Sequence, residues 1–297
     1  MNIADLTPYL IEGPALISFS GGRTSAYLLY HILKAHDGRL PSDVNVAFAN
    51  TGKERDETLR FVHECSSRWG VYVHWLERRA RGELELVGFN SASRNGEPFE
   101  ELIREKQRLP NWQERWCTEH LKVKPLFALA ESFGWKAGTY AEVVGLRNDE
   151  GHRILRGLDR AEKDGRRMLY PLARAKVVKA DVMAFWNAQD FDLGLAPYEG
   201  NCDFCFMKGR GIRKRLIRDG KTSPAWWIEQ EREQEGWFDR RDTMAGLVEE
   251  CRRSPELFDE PEDFEYDTEC GLICAPMDEM SHDHIFQVDA DTGRGGQ

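Results

Sequence analysis

The apolar run Ala15-Leu16-Ile17-Ser18-Phe19 stops at Ser20-Gly21-Gly22, and a helix-patterned segment follows at once. Five residues of this kind have the length of a buried parallel strand, and the small residues after them demand a tight turn. Ala26, Leu28, Leu29, Ile32 and Leu33 then recur at helical spacing, with Thr24 or Ser25 able to cap the start. A strand, a small-residue loop and a helix N-terminus in that order leave several backbone N–H groups converging on one place, with the positive end of the helix dipole behind them. Such a place suits a phosphate or a sulfate. Commoner phosphate loops are missing. The chain has no Walker pattern and no strand-linked GxGxxG, and Gly209-Arg210-Gly211 lies in a basic polar segment with no strand before it.

The pattern repeats downstream. Residues 44–49 make a second strand, closed by the turn Asn50-Thr51-Gly52 ahead of a helix over 57–69; residues 71–75 make a third strand and 141–145 another. Alternation of this kind implies a parallel sheet with helices on both faces and ligand groups beyond the carboxyl ends of the strands. Residues 78–116 interrupt it with Gly82, Gly88, Gly96 and Pro98 in a charged stretch around one helical candidate at 99–106. This stretch reads as an insertion over the mouth of the site. Further helices are expected through Leu126, Leu129, Ala130 and Phe133 and over 177–188, and residues 155–167 read as a charged, hairpin-like excursion.

A chain of 297 residues is long enough to build a large core without covalent staples. Its seven cysteines, an odd number, argue against a disulfide framework and for metal or thiol chemistry. No apolar run reaches the roughly 20 residues needed to cross a bilayer, and the first residues have neither a basic start nor a continuous apolar stretch, so no membrane partner is expected and the cytoplasm is the default compartment. A net charge of -10 disfavours nonspecific nucleic-acid binding by the whole surface while leaving room for a local basic patch.

Ser20-Gly21-Gly22-Arg23-Thr24-Ser25 resembles the PP-loop, SGGxDS, of the adenine-nucleotide alpha-hydrolase superfamily, which includes ATP pyrophosphatases, thiolation enzymes and the phosphoadenosine phosphosulfate (PAPS) reductases. It departs from the pattern at Thr24, where the family usually has an Asp that serves loop geometry or a metal contact. The second family motif, whose turn lies beside adenosine, matches residues 48–62, with Asn50 and Thr51 supplying an amide and a hydroxyl. Residues 115–125 are similar to the family's Cys-to-Lys-x-x-Pro segment, with Trp116 where cluster-bearing reductases carry a second adjacent Cys and with Lys122 and Lys124 facing an anionic ligand. Gly145-Leu146-Arg147 through Arg153 resembles the PAPS reductase GxRxxExxxR-type segment, whose arginines can fork onto phosphate or sulfate oxygens. The resemblance therefore implies nucleotide binding by Ser18, Ser20, Gly21, Gly22, Arg23, Thr24, Ser25, Asn50, Thr51, Gly52, Gly145, Arg147 and Arg153, with Lys122 and Arg147 also in catalytic roles.

Cys202-Asp-Phe-Cys205 lets two thiolates reach one metal from a tight turn. In the cluster-bearing members of the family an earlier cysteine joins such a pair, so Cys117, Cys202 and Cys205 match three ligands of a 4Fe-4S cluster. The alternative is tetrahedral zinc with His120, and Cys270 or Cys274 would supply further sulfur for iron. Cys270, within Thr268-Glu-Cys-Gly, resembles the reductases' nucleophilic cysteine, although Glu265, Asp267 and Glu269 disfavour its thiolate.

The segment 208–227 crowds basic residues ahead of Trp226-Trp227, a composition suited to nucleic-acid phosphates and bases or, through Ile212, Leu216 and Ile217, to a helix docked on the core. Residues 256–283 carry eleven acidic residues and no Lys or Arg, and read as a weakly structured tail.

The expected architecture is α/β: a Rossmann-like, PP-loop nucleotide-binding domain over 1–207 and a helical, basic-then-acidic extension over 208–297. The implied cofactors are an adenine nucleotide, ATP or PAPS, with Mg2+ as its accompanying ion, and the cluster. The implied function is an adenine-nucleotide-dependent enzyme of sulfur metabolism, reducing a sulfonucleotide or activating a substrate for sulfur transfer, served by an electron or sulfur donor protein. The alternatives are an ATP pyrophosphatase that adenylates a nucleic-acid base and a noncatalytic nucleotide- or nucleic-acid-binding module.

Overall fold

β1 (Ala15–Ser18) is the hub of the sheet: Ala15 and Ile17 face one side and Leu16 the other, and all three are buried, as expected for a central strand covered on both faces. The computed structural model describes residues 6–254. α1 (Arg23–Ala35) leads to β2 (Val44–Ala49), which pairs with β1 in parallel, and α2 (Asp56–Trp69) leads to β3 (Val73–Arg78), parallel to β2. β4 (Leu84–Val87) folds back antiparallel on β3 as an edge strand inside the expected insertion, followed by α3 (Glu97–Lys106).

The chain then crosses to the other side of β1. It passes through α4 (Trp116–Thr118), a π turn (Glu119–Val123) and α5 (Lys124–Ser132) into β5 (Ala141–Val144), which pairs in parallel with β1. α6 (Gly151–Lys163) leads to β6 (Arg167–Leu169), parallel to β5, and α7 (Pro171–Arg174) and α8 (Lys179–Asn187) follow. The sheet order is β4-β3-β2-β1-β5-β6. Chain progress reverses between β1 and β5, and at such a switch point the loops leaving neighbouring strands splay apart and open a crevice at the carboxyl ends.

Packing follows the alternation of the strands. Ile17, Val46, Phe48, Val143 and Trp75 join Leu28, Leu29 and Ile32 of α1, Leu59 and Val62 of α2 and Trp186 of α8 in the main core. Leu16, Ala47 and Leu76 face the opposite side, against Leu126, Leu129 and Ala130 of α5. A second apolar core lies outside the sheet. It joins Phe99, Leu102 and Ile103 of α3 and Trp116 of α4 to Phe204 and Phe206, then to α9 (Arg210–Asp219), α10 (Ala225–Glu233) and α11 (Met244–Arg253) through Ile212, Leu216, Trp227, Met244 and neighbouring Phe238. The insertion, the Cys-x-x-Cys turn and the C-terminal helices therefore form one packing unit that spans residue 207.

Two local expectations are corrected. Residues 155–167 are no hairpin, because Gly157 and Ala161 are buried one turn apart on α6 and the segment is helical from 151 to 163. The first helix begins at Arg23, with Gly22 as an N-cap that has no side-chain cap, so neither Thr24 nor Ser25 caps it.

Candidate functional site

At the end of β1 the chain turns through Gly21, whose φ of +77° belongs to the left-handed region. A Cβ there would lie 2.6 Å from Thr58 Cγ2 and 3.0 Å from Val62 Cγ2, so the loop lies tight on α2. Ser20 Oγ donates to Ser25 Oγ at 3.0 Å and Ser25 Oγ donates to the Gly22 carbonyl at 2.9 Å, a chain of hydroxyls that closes the loop on the first turn of α1. Gly22 is the N-cap of α1 and brings no side-chain oxygen, and a helix start of this kind favours an anion through its backbone N–H groups and dipole. Arg23 points outward. Its guanidinium holds Asp192 with two bonds of 2.7 and 2.5 Å and donates to the Leu195 carbonyl at 2.8 Å, strapping residues 192–195 to the loop.

The loop leaving β5 meets this one. Gly145 lies against the start of α1, where a Cβ would sit in ordinary contact 3.4 Å from Ser25 Cα. Arg147, buried to 3% exposure, donates from Nη1 to Thr24 Oγ1 at 3.1 Å and from Nε to Asp149 at 3.0 Å. Glu150 accepts the Arg147 backbone N–H at 3.0 Å with one oxygen and pairs with Arg153 through the other. Thr24 and Arg147, with Arg23, Lys179 and Asn201, line a cleft walled by Val182, Met183, Leu193 and Leu195. Arg153 lies behind Glu150 and does not line this cleft.

On the other side of β1, the turn after β2 is held from within. Asn50 is fully buried; its Nδ2 donates to Glu77 at 2.6 Å and to the Ser93 carbonyl at 2.8 Å, and its Oδ1 accepts from Gly52 N–H. Thr51 gives its N–H and its hydroxyl to one oxygen of Glu54, at 2.8 and 2.7 Å. The amide and hydroxyl expected to face adenosine thus also fix the shape of the turn. Pro98 and Gly96 of the insertion cover Gly52, where a Cβ would fall 2.9 Å from Pro98 Cδ.

The Cys-x-x-Cys turn is stitched to this region by backbone. Arg55 N–H donates to the Asn201 carbonyl at 2.8 Å and Asp203 N–H donates to the Lys53 carbonyl at 3.0 Å, flanking an antiparallel bridge between Glu54 and Cys202. Lys53 and Asp203 form a buried ion pair at 2.9 Å, Trp227 Nε1 donates to Asp203 at 2.7 Å, and Asn201 Nδ2 reaches the Ser20 carbonyl at 2.9 Å. Lys208 is fully buried, its ammonium donating to the carbonyls of Cys202 and Asp203, and burial pushes its pKa down. The free oxygen of Glu54 then faces two groups at once, with Lys122 Nζ at 3.4 Å and Cys202 Sγ at 3.7 Å, while Lys122 Nζ lies 3.8 Å from the same sulfur.

Cys117, Cys202 and Cys205 are outside any disulfide and half-buried. Among the described residues no group of three or more His, Cys, Asp or Glu is arranged to hold a metal ion. His120 turns toward Glu119, at 3.9 Å, and burial together with Lys124, Lys106 and Arg78 pushes its imidazole down to about 3. Cys270 and Cys274 lie outside the described residues. Basic side chains after 207 are mostly spent inside the protein: Arg213 is buried against Asp239 at 2.6 Å, Lys214 bonds Glu250 at 2.9 Å, Arg210 bonds Asp242 at 2.9 Å, and Trp227 is core.

No family model matches the chain. It is 33% identical over 203 residues to the uncharacterized nin region protein ORF290 of Escherichia phage lambda, covering 65% of this chain and 66% of that protein. It is 32% identical over 116 residues to the uncharacterized protein MJ0066 of Methanocaldococcus jannaschii, covering 39% of this chain and 19% of that one. Solved structures similar to it include the PAPS reductase of Candida auris in a phosphate complex, at 15% identity, TM-score 0.39 and coverage of 62% of this chain and 77% of that one. The U34-tRNA thiolase NcsA of Methanococcus maripaludis with its 4Fe-4S cluster is similar at 12% identity, TM-score 0.38 and coverage of 87% and 78%. The order of motifs along the sequence resembles the same family. Among the described residues no helix is long and apolar enough to cross a membrane.

Glu54, Glu77 and Asp203 were missed by sequence reasoning. The signal available for Glu54 was its place three residues after Thr51, the spacing of a carboxylate that closes a turn on a hydroxyl.

Proposed function

We propose that the chain is an adenine-nucleotide-dependent enzyme of the PP-loop class that acts on sulfur, by reduction of a sulfonucleotide or by nucleotide-activated sulfur transfer. One observation carries the reading: the backbone pairing of residues 53–55 with 201–203, together with the Asn201 bond to Ser20, sets the Cys202 thiol on the same sheet end as the anion loop. In this reading the N–H groups at the start of α1 and the Arg147 guanidinium hold the nucleotide's oxyanion, and charge-assisted hydrogen bonds orient it. Lys122 supplies positive charge between the Glu54 carboxylate and the Cys202 sulfur, where it favours a thiolate or an anionic substrate over a neutral one. A donor protein and a nucleic-acid acceptor remain part of the reading only as partners to be sought by activity.

Product analysis tests it. Incubation with PAPS or its unphosphorylated analogue and a reductant should release sulfite if a sulfonucleotide is reduced. Incubation with ATP and an acceptor should release pyrophosphate if activation is the chemistry. Nucleotide binding without either product would make the chain a noncatalytic binding module. Intact-protein mass spectrometry of wild type and Cys270→Ser assigns the nucleophile, because a sulfonate-mass adduct confined to wild type places it at Cys270.

A further inference from the structure

The Asp that usually stands at the place of Thr24 in the PP-loop family serves loop geometry or a contact to a divalent cation. The residues present at that place do not fit one. A magnesium-like ion takes oxygen ligands at about 2.1 Å, among them one or two carboxylates beside phosphate and water oxygens. Among the described residues, the cleft against the loop has Arg23, Thr24, Arg147 and Lys179 in its lining and no carboxylate.

The acidic groups around it are each turned to a nitrogen. Asp192 gives both oxygens to Arg23. Asp149 accepts from Arg147 Nε at 3.0 Å through one oxygen and from the Lys179 backbone N–H at 3.2 Å through the other. Glu150 is divided between the Arg147 backbone N–H and the Arg153 guanidinium. Thr24 Oγ1, standing in the family's Asp position, accepts from Arg147 Nη1 at 3.1 Å. An ion coordinated by that oxygen at about 2.1 Å would lie roughly 5 Å or less from a buried guanidinium. Like charges at that range repel strongly once shielded from water.

We propose that this site neutralises its oxyanion with Arg147 and Lys179 in place of a divalent metal, and so selects the metal-free form of a phosphate- or sulfate-bearing nucleotide. The inference rests on the nucleotide reading above and adds to it which ionic form is bound. Since Mg2+ sequesters ATP in solution, a site of this kind sees less of its ligand when the ion is abundant.

Titration calorimetry of the full chain with ATP and with PAPS, in excess EDTA and in excess Mg2+, decides the matter. The expected result is weaker binding of ATP in Mg2+ than in EDTA. Thr24→Asp should reverse the order, binding about tenfold more tightly in Mg2+ than in EDTA. The wild-type comparison stands without the variant. Wild-type binding of ATP that is equal or tighter in Mg2+ overturns the inference and leaves the nucleotide reading intact. Absence of binding under both conditions overturns the nucleotide reading and the inference with it.

Discussion

Replacing Gly21 with alanine tests the loop at its tightest point. Gly21 has φ +77°, and an L-residue there costs about 1 to 2 kcal/mol for the left-handed backbone alone. The added methyl would sit 2.6 Å from Thr58 Cγ2, 3.0 Å from Val62 Cγ2 and 3.2 Å from Phe48 Cε2. All three neighbours are buried core residues with no solvent to retreat into, so overpacking adds about 1 to 3 kcal/mol. The total is about 2 to 5 kcal/mol, a large part of the 5 to 15 kcal/mol that typically holds a domain together. Gly13 is the control: its φ is +74°, yet a Cβ there meets nothing within 4 Å. Urea melts of wild type, Gly13→Ala and Gly21→Ala, compared by midpoint at constant slope, separate the two contributions. Gly13→Ala should show the backbone cost alone and Gly21→Ala distinctly more. Equal costs for the two variants would refute the close packing of the loop on α2.

Asp239→Ala should destabilise by about 3 to 5 kcal/mol, because it strands the buried Arg213 guanidinium; a double variant, Arg213→Met with Asp239→Leu, should recover most of that loss in the same melts. Acid should weaken the fold through buried histidines as well as through carboxylates. Burial among Tyr9, Tyr27, Tyr30 and Phe185, with Lys34 adding to it, pushes His31 down to about 4, and His120 falls to about 3. An unfolded histidine titrates near ~6.5, so the unfolded chain binds more protons below that pH. Stability is then complete above roughly pH 6.5 and declines as pH falls toward 4. Urea melts at several pH values should show this slope, and His31→Phe should flatten it; an unchanged slope in that variant removes His31 from the explanation. Cys65 is fully buried and its thiol pKa is pushed up by burial, so peptide mapping after native alkylation should find it unlabelled. Labelling of Cys65 at a rate matching the unfolded protein would contradict its place in the core.

What could be read from the sequence is what has a local signature. The strand that ends in Ser20-Gly21-Gly22, the strands after it and their helices announce themselves by runs and spacings confined to a few residues, and the sheet follows from their alternation. The docking of α9 through Ile212 and Leu216 was likewise visible as a four-residue spacing. α6 was missed because its charged residues mask a helical register in which only Gly157 and Ala161 are fully buried. The helix start was misplaced because a hydroxyl residue looks like a cap, whereas Thr24 instead accepts from Arg147, 123 residues away. Separation in sequence likewise hid Lys53 with Asp203 and Glu54 with Lys122. Each is an unremarkable charged residue in its own neighbourhood and becomes part of the site only when β2, the π turn and the Cys-x-x-Cys turn meet.

Titration calorimetry of wild type and Arg147→Ala with ATP, PAPS and adenosine tests the central claim most directly, namely that the loop after β1 and the arginine after β5 together hold a nucleotide's oxyanion. The account predicts that wild type binds at least one of the two phosphate-bearing ligands. Losing a charged hydrogen bond should weaken that ligand by about 1.5 to 3 kcal/mol in Arg147→Ala and leave adenosine unchanged. No binding of either nucleotide by wild type, or equal binding by Arg147→Ala, would contradict it.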